Sequence, residues 1–527
     1  VSPGGSGGPS VVPGCAPDGE PLILEGHAGS DQARTYLLLP FEVMPGVTRV
    51  EVGYSWVDSS PLPSTPVTQS VFDLGLWDAD GYREPAGFRG WSGSRQGRLH
   101  EGQSPVFIQA DSAERGYSPG VIEVGVWHVE LGVAALGPAG ADWRVEVRCL
   151  TTATGSEPVA DPVQAGHVAN DQPGWYHADF HMHGFHSNPN GPDWADFVQQ
   201  ARDAQLDILV VTEYVSGRHW DTLGSVQRAH PDLLVWPGRE IITYFGHANT
   251  FGETPSVLEY RHGLEDISLR DIQVAAKGDD ALFQVNHPTT FEGFLFRNFC
   301  RGCAFELEDE IDWSMVDTLE VMNGPNLVNQ TDLGLPGLPL PLPLMIQSPF
   351  LQPAIDLWHE LLNQGYKITA TSGSDSKGVD APEERGRKGY GSSATAVYAD
   401  RLSRAAVTEA LKAGRAYIKT RGVVASPSLD MTVTTPGGQS GSFGSELRAD
   451  SATLSVTVTE GDGQLLRIIR NGSPVSLAPI SGSPFTHEMQ ISRDAGEGPL
   501  GTFWRVETLD LQSITTIGNP VFLQGVD

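Results

Sequence analysis

Positive charge is scarce in this 527-residue chain: 34 lysines and arginines stand against 65 aspartates and glutamates, a formal net charge of −31. Such a surface repels phosphate backbones and anionic lipid headgroups, so nucleic-acid and membrane-surface binding are excluded as bulk functions. A local basic pocket could still hold one small anion. Long apolar runs are missing too. None reaches the roughly 18 residues that mark a bilayer span, so no transmembrane anchor is expected. Cysteine is limited to Cys15, Cys149, Cys300 and Cys303. Cys15 precedes the first apolar segments, and Cys149 follows the last strand-like run of the N-terminal region, Trp143 to Val147. A bridge between them would staple that region end to end and would need an oxidising compartment. Cys300-Arg-Gly-Cys303 has zinc-knuckle spacing, but no second pair exists to complete four ligands. A local disulfide or two free thiols are the readings left. The chain opens at Val1 in a Gly/Ser/Pro stretch with no apolar segment of the signal-peptide kind. It therefore reads as an exported protein, extracellular or periplasmic, whose targeting peptide has gone.

Glycine (61) and proline (38) are plentiful and fit many turns between short strands. Residues 1–20 read as a flexible lead-in. From 21 to 150 short alternating runs such as Arg49 to Trp56 and Val121 to Trp127 predict a β-sandwich or jelly roll. A polar linker at 151–174 follows. The pattern then becomes strand, helix, strand, helix. Tyr176 to His183, Asp207 to Thr212, Leu233 to Trp236, Leu282 to Val285, Thr318 to Met322 and Ile368 to Thr371 predict strands, and Trp194 to Gln205 and Leu402 to Ala413 predict helices. Repeated βα units predict an α/β barrel over 175–424. Alternation returns over 425–527, as for a second β-sandwich. The stretch Leu333 to Met345, rich in Leu and Pro, cannot be helical. It predicts a loop packed on the barrel, an apolar lid over a site, or a contact through which copies self-assemble.

The chemistry gathers at the predicted strand ends. In Asp179-Phe-His181-Met-His183 the two histidines share one strand face and could converge on one ion. Pro237-Gly-Arg-Glu240, Gly246-His247-Ala-Asn249, Asn286-His287-Pro288 and Gly373-Ser-Asp375 add imidazoles and carboxylates in turn. A lone histidine is usually a satisfied core or surface residue, and a strand-end carboxylate often only caps a helix. The joint pattern on one barrel face is the informative feature. Its donors suit Zn, Mn or Fe rather than Ca or Mg.

In this order, these motifs resemble the polymerase-and-histidinol-phosphatase (PHP) superfamily. Gly246-His-Ala-Asn-Thr-Phe-Gly252 is most similar to its carbaryl-hydrolase-like CehA/McbA branch. The resemblance implies a distorted (β/α)7 barrel between β-sandwich domains, with metals at the strand C-termini. It implies that His181, His183, Glu240 and Asp375 bind one metal, and that Glu240 bridges to a second held by His247 and His287. The positions that would ligate a third metal depart from the family: Asn188, Glu213-Tyr214 and Lys377. One or two divalent transition metals are therefore expected. The implied function is hydrolysis by a metal-activated water of a small-molecule or exposed ester, a phosphodiester or a carboxyl or carbamate ester. Lys377 could replace the missing cation beside a developing oxyanion, or could simply ion-pair with a carboxylate. Tyr214, His186 and His219 are candidates for assisting the leaving group. Asp179 could orient a ligand ring, and Arg239 and Arg421 could contact an anion. The rival reading is a non-catalytic extracellular binding or assembly module with a structural metal. An open coordination position on a pocket would favour the enzyme.

Overall fold

The computed structural model describes residues 12–60, 65, 68–94, 104–188, 190–252, 259–329, 332–333, 345–380, 387–494 and 498–525. Most of the Leu/Pro stretch (334–344) lies outside these, and with it the lid and self-assembly expectations.

Seven strands surround the site: β1 (Gly174–Met182), β2 (Ile208–Val211), β3 (Leu234–Thr243), β4 (Gly246–Phe251), β5 (Leu282–Val285), β6 (Thr318–Asn323) and β7 (Thr369–Gly373). They are hydrogen-bonded in chain order. The ends of the run then meet, because Asp375 N donates to His181 O (2.8 Å) and His183 N to Ser376 O (2.9 Å). Six strands share one direction. β4 runs against both neighbours. The reversal comes from a two-residue turn, Tyr244-Phe245, which leaves no room for a crossover helix between β3 and β4.

Among the described residues, four helices connect the other strands: α1 (Trp194–Asp203), α2 (Leu223–Ala229), α3 (Leu269–Gly278) and α4 (Leu351–Gln364). Asp193 caps α1 by accepting from Asp196 N (3.0 Å), and Gly365, in the left-handed region, ends α4. Between β5 and β6 the described connection holds only short 3-10 turns. The expected (β/α)7 repeat is thus met only in part: the chain is mixed α/β, rich in sheet and with few helices.

The N-terminal region is two facing sheets. One has the order 14–15, 35–43, 125–135, 71–77, 88–91, and the other 22–28, 141–150, 49–58, 106–109. Phe41, Trp127, Leu131, Val145 and Val147 fill the space between them. Cys15 and Cys149 form a disulfide joining the two sheets. Residues 14–15 pair with Glu42 and Val43, so the end of the expected flexible lead-in is an ordered strand. The run Val121 to Trp127 becomes strand only from Gly125. Val71–Trp77 is buried at every position, because the outer face of its sheet packs on the ring: Tyr36, Trp77, Phe88 and Trp91 share a core with Ile241, Ile242 and Tyr244.

The expected linker also lies against the ring, where Asp161 pairs with Arg228 and residues 168–170 pair with 402–403. At the C-terminal end one sheet of the expected sandwich is continuous with the ring. From β1 it runs through 394–399, 416–419, 514–518, 502–509, 465–470 and 473–479. A four-stranded sheet (440–441, 428–434, 451–459, 485–492) faces this extension across Met431, Val456 and Val506.

Candidate metal centre

Alternation along β1 turns Phe180 and Met182 into apolar cores and His181 and His183 toward the inside of the ring. Both imidazoles are fully buried. Glu240 lies within β3 rather than beyond its end, and reversal of β4 brings His247, at that strand's start, alongside it. His287 follows β5 and Asp375 follows β7. Both have positive φ, 29° and 49°. Such backbone costs on the order of 1–3 kcal/mol per residue and persists where surrounding structure enforces it.

Of three triplets among the described residues that could hold a metal, two lie here, His181 with His183 and Asp375, and His181 with Glu240 and His287; the third, Asp78 with Asp80 and Glu123, lies in the N-terminal region. His181 Nε2 is 3.3 Å from Glu240 and 3.7 Å from Asp375. His183 Nε2 is 3.1 Å from Asp375 and 3.4 Å from Glu240. His287 Nε2 lies 3.6 Å from Glu240. His247 belongs to none of these triplets, although its Nδ1 is 3.1 Å from Glu240. His181 Nε2 is buried and has no hydrogen-bond partner among the described residues, which is costly for a polar atom unless something else satisfies it. Buried imidazoles and carboxylates converging around such an atom fit a divalent transition metal.

The surroundings hold these groups in defined protonation states. Burial opposes the charge on Glu240, but His181 and His247 outweigh it and keep the carboxyl well below its usual range. Asp375 is likewise held low against burial, chiefly by Lys377 and then His181. Burial and then the Lys377 charge push His183 down to about 4, leaving a neutral ring. His181 is raised despite burial, because Glu320, Glu240 and Asp375 surround it.

Glu320, inside β6, is a residue that the motifs miss. It is fully buried, accepts from His181 Nδ1 (3.1 Å) and from His287 N (2.9 Å), and so orients both candidate ligands. A carboxylate between the apolar Leu319 and Val321 is its only signal in the sequence. Asp179, expected to orient a ring, instead accepts from the amides of His181 (3.1 Å), Ser374 (2.9 Å) and Gly391 (2.8 Å). Burial pushes its carboxyl up to about 6. Glu213 is similarly occupied by the turn after β1, accepting from the amides of Gly184, His186 and Ser187 and from the Ser187 hydroxyl.

A cavity of about 340 Å³ opens over the cluster. Asn188, Tyr214 and Lys377 line it together with Glu240, His247, His287 and Asp375. Lys377 Nζ lies 3.0 Å from Asp375 Oδ1 and 5.2 Å from the centre of the Tyr214 ring. Its ion pair is therefore with a candidate ligand, not with a surplus surface carboxylate. Burial works against the ammonium, yet Asp375 and Tyr214 raise its pKa, while burial raises that of the Tyr214 phenol.

His186 and His219 do not line the cavity. His219 is buried and His186 half-buried; desolvation holds both rings neutral, and His219 Nε2 pairs with Gly238 O (2.8 Å). Neither is placed to reach a substrate there. Arg239 alternates away from Glu240 along β3, and Arg421 is engaged by Asp510 (2.7 and 2.9 Å), so neither serves the cavity. Among the described residues, the cations on its wall besides Lys377 are Arg115 and Arg301. Asp73, Trp91 and Arg115 come from the N-terminal sandwich, which the sequence motifs did not connect with the site.

No protein-family model and no curated protein matches the sequence. Among solved structures, a two-domain protein from Bacteroides vulgatus ATCC 8482, described as containing a predicted PHP-like metal-dependent phosphoesterase, is similar to this chain. The match covers 69% of this chain and 98% of that one, at 19% identity and a TM-score of 0.34.

Proposed function

We propose that the chain is a metal-dependent hydrolase of the PHP type, in the CehA/McbA-like branch, acting on an ester. The observation that carries this reading is the convergence of buried His181, His183, Glu240 and His287 with half-buried Asp375 around His181 Nε2, which has no hydrogen-bond partner among the described residues, beneath an open cavity. His181, His183 and Asp375 would hold one Zn, Mn or Fe ion. Glu240 and His287, joined by His247, would hold a second. When bound, such an ion supplies Lewis acidity and lowers the pKa of coordinated water.

The chain's own residues supply the rest. Lys377 keeps its charge beside Asp375 and is suited to hold an anionic substrate oxygen. Tyr214 keeps its phenolic proton and is suited to donate a hydrogen bond to a leaving oxygen. With one or two metals rather than three, less positive charge faces the substrate than a dianionic phosphomonoester calls for. A phosphodiester is therefore favoured, with carboxyl and carbamate esters next. Two disulfides favour an oxidising, extracellular or periplasmic setting.

The test is hydrolysis of aryl phosphomonoester, phosphodiester, carboxyl-ester and carbamate substrates by the metal-loaded protein and by His183→Ala. Turnover of a diester that the substitution abolishes is expected. Turnover unaffected by the substitution, or none on any ester, would overturn the reading.

A further inference from the structure

The loop Cys300-Arg-Gly-Cys303 touches the cluster through its backbone. His247 Nε2 pairs with Arg301 O at 2.9 Å, and His287 Nδ1 with Cys303 O at 2.8 Å. A carbonyl only accepts, so each pairing requires the proton on that ring nitrogen. The opposite nitrogens, His247 Nδ1 and His287 Nε2, are left with lone pairs, and these are the atoms that face Glu240, at 3.1 and 3.6 Å. One four-residue loop thus sets the tautomer and ring direction of two candidate ligands. Cys300 and Cys303 are disulfide-bonded and both line the cavity. The loop fits tightly: a Cβ on Gly302, whose φ is +80°, would stand 2.4 Å from Thr243 O and 2.8 Å from His247 Nε2.

We infer that the Cys300–Cys303 disulfide is a redox-sensitive clamp on the metal position of Glu240, His247 and His287, and that it does not act on the His181, His183 and Asp375 position. This rests on the metal-dependent reading above. A small dithiol would break the S–S bond, giving two electrons and two protons to form the Cys300 and Cys303 thiols while it becomes a disulfide itself. The two carbonyls would then lose their fixed spacing. Cys15–Cys149 is a second target for a dithiol, so substitution is needed to separate them; both of its cysteines are buried in the N-terminal core.

The experiment titrates Mn²⁺ into metal-stripped full-length protein, by calorimetry and with elemental analysis. It compares the oxidised protein, the dithiol-treated protein and the Cys300→Ser/Cys303→Ser double variant, with circular dichroism as a fold control. Gly302→Ala, which keeps the disulfide but crowds the loop, guards against misfolding of the double variant. Two sites are expected in the oxidised protein. Affinity of one should fall roughly ten- to a hundredfold in the other three samples, and the second site should be unchanged. Two sites of unaltered affinity in the folded double variant and in Gly302→Ala would overturn the clamp and leave the hydrolase reading standing. A single site in the oxidised protein would overturn it as well, and no metal binding at all would overturn both.

Discussion

At the scale of single residues, the site depends on groups that touch the candidate ligands as much as on the ligands. Glu320 accepts from the His181 ring and from the His287 amide, both buried. Glu320→Gln keeps the shape but removes the charge that holds His181, and metal affinity should fall roughly ten- to a hundredfold in a chelator competition. Lys377 presents a different case, since its ammonium sits on the cavity wall. Lys377→Met should lower kcat by about 10²–10³-fold, the loss seen when one donor to a developing oxyanion is removed, with metal content unchanged. An equal loss of metal would instead mark Lys377 as a group that positions Asp375. Alternation made His181 and His183 legible, because a strand period of two follows directly from sequence. Glu320 was not legible, since a lone carboxylate in an apolar run has no period and its partners are distant in sequence.

At the scale of elements, the strands that carry function were easier to read than their order and direction. Leu282–Val285 forms where the apolar run predicts it. The hairpin of β3 and β4 was hidden, because β3 continues through Glu240 to Thr243 and a two-residue turn breaks the βα rhythm. The helix α4 carries a titration that can be measured. His359 accepts from Arg505 Nε at 2.7 Å, and burial followed by the Arg505 charge pushes its pKa down to about 3. An unfolded histidine takes up its proton near pH 6.5. His359 therefore contributes stability fully above that pH, and the contribution is lost as pH falls from about 6.5 toward 3. The slope is at most about 1.4 kcal/mol per pH unit. His359→Gln should lose less stability than the parent between pH 7 and pH 5 in urea unfolding. An equal loss would remove His359 from the account.

At the scale of the molecule, the sheets that flank the ring are part of its construction. The N-terminal sandwich supplies Asp73, Trp91 and Arg115 to the cavity, and Tyr244 of the ring reaches back to donate to Asp73 (2.9 Å). Sequence alternation marks such a sheet as β but cannot say that both of its faces are covered. The Cys15–Cys149 bridge closes a separation of 134 residues across this sandwich. Cys15→Ser/Cys149→Ser should cost about 2–5 kcal/mol of stability, read as a lower Tm. Because the sandwich walls the cavity, KM should rise as well. The central claim is that buried histidines and carboxylates of the ring hold a divalent transition metal. It is tested most directly by elemental analysis of the purified full-length protein beside His183→Ala. One or two equivalents of Zn, Mn or Fe per chain, reduced in the variant, is the predicted result. A chain free of transition metal even after incubation with all three ions would contradict it.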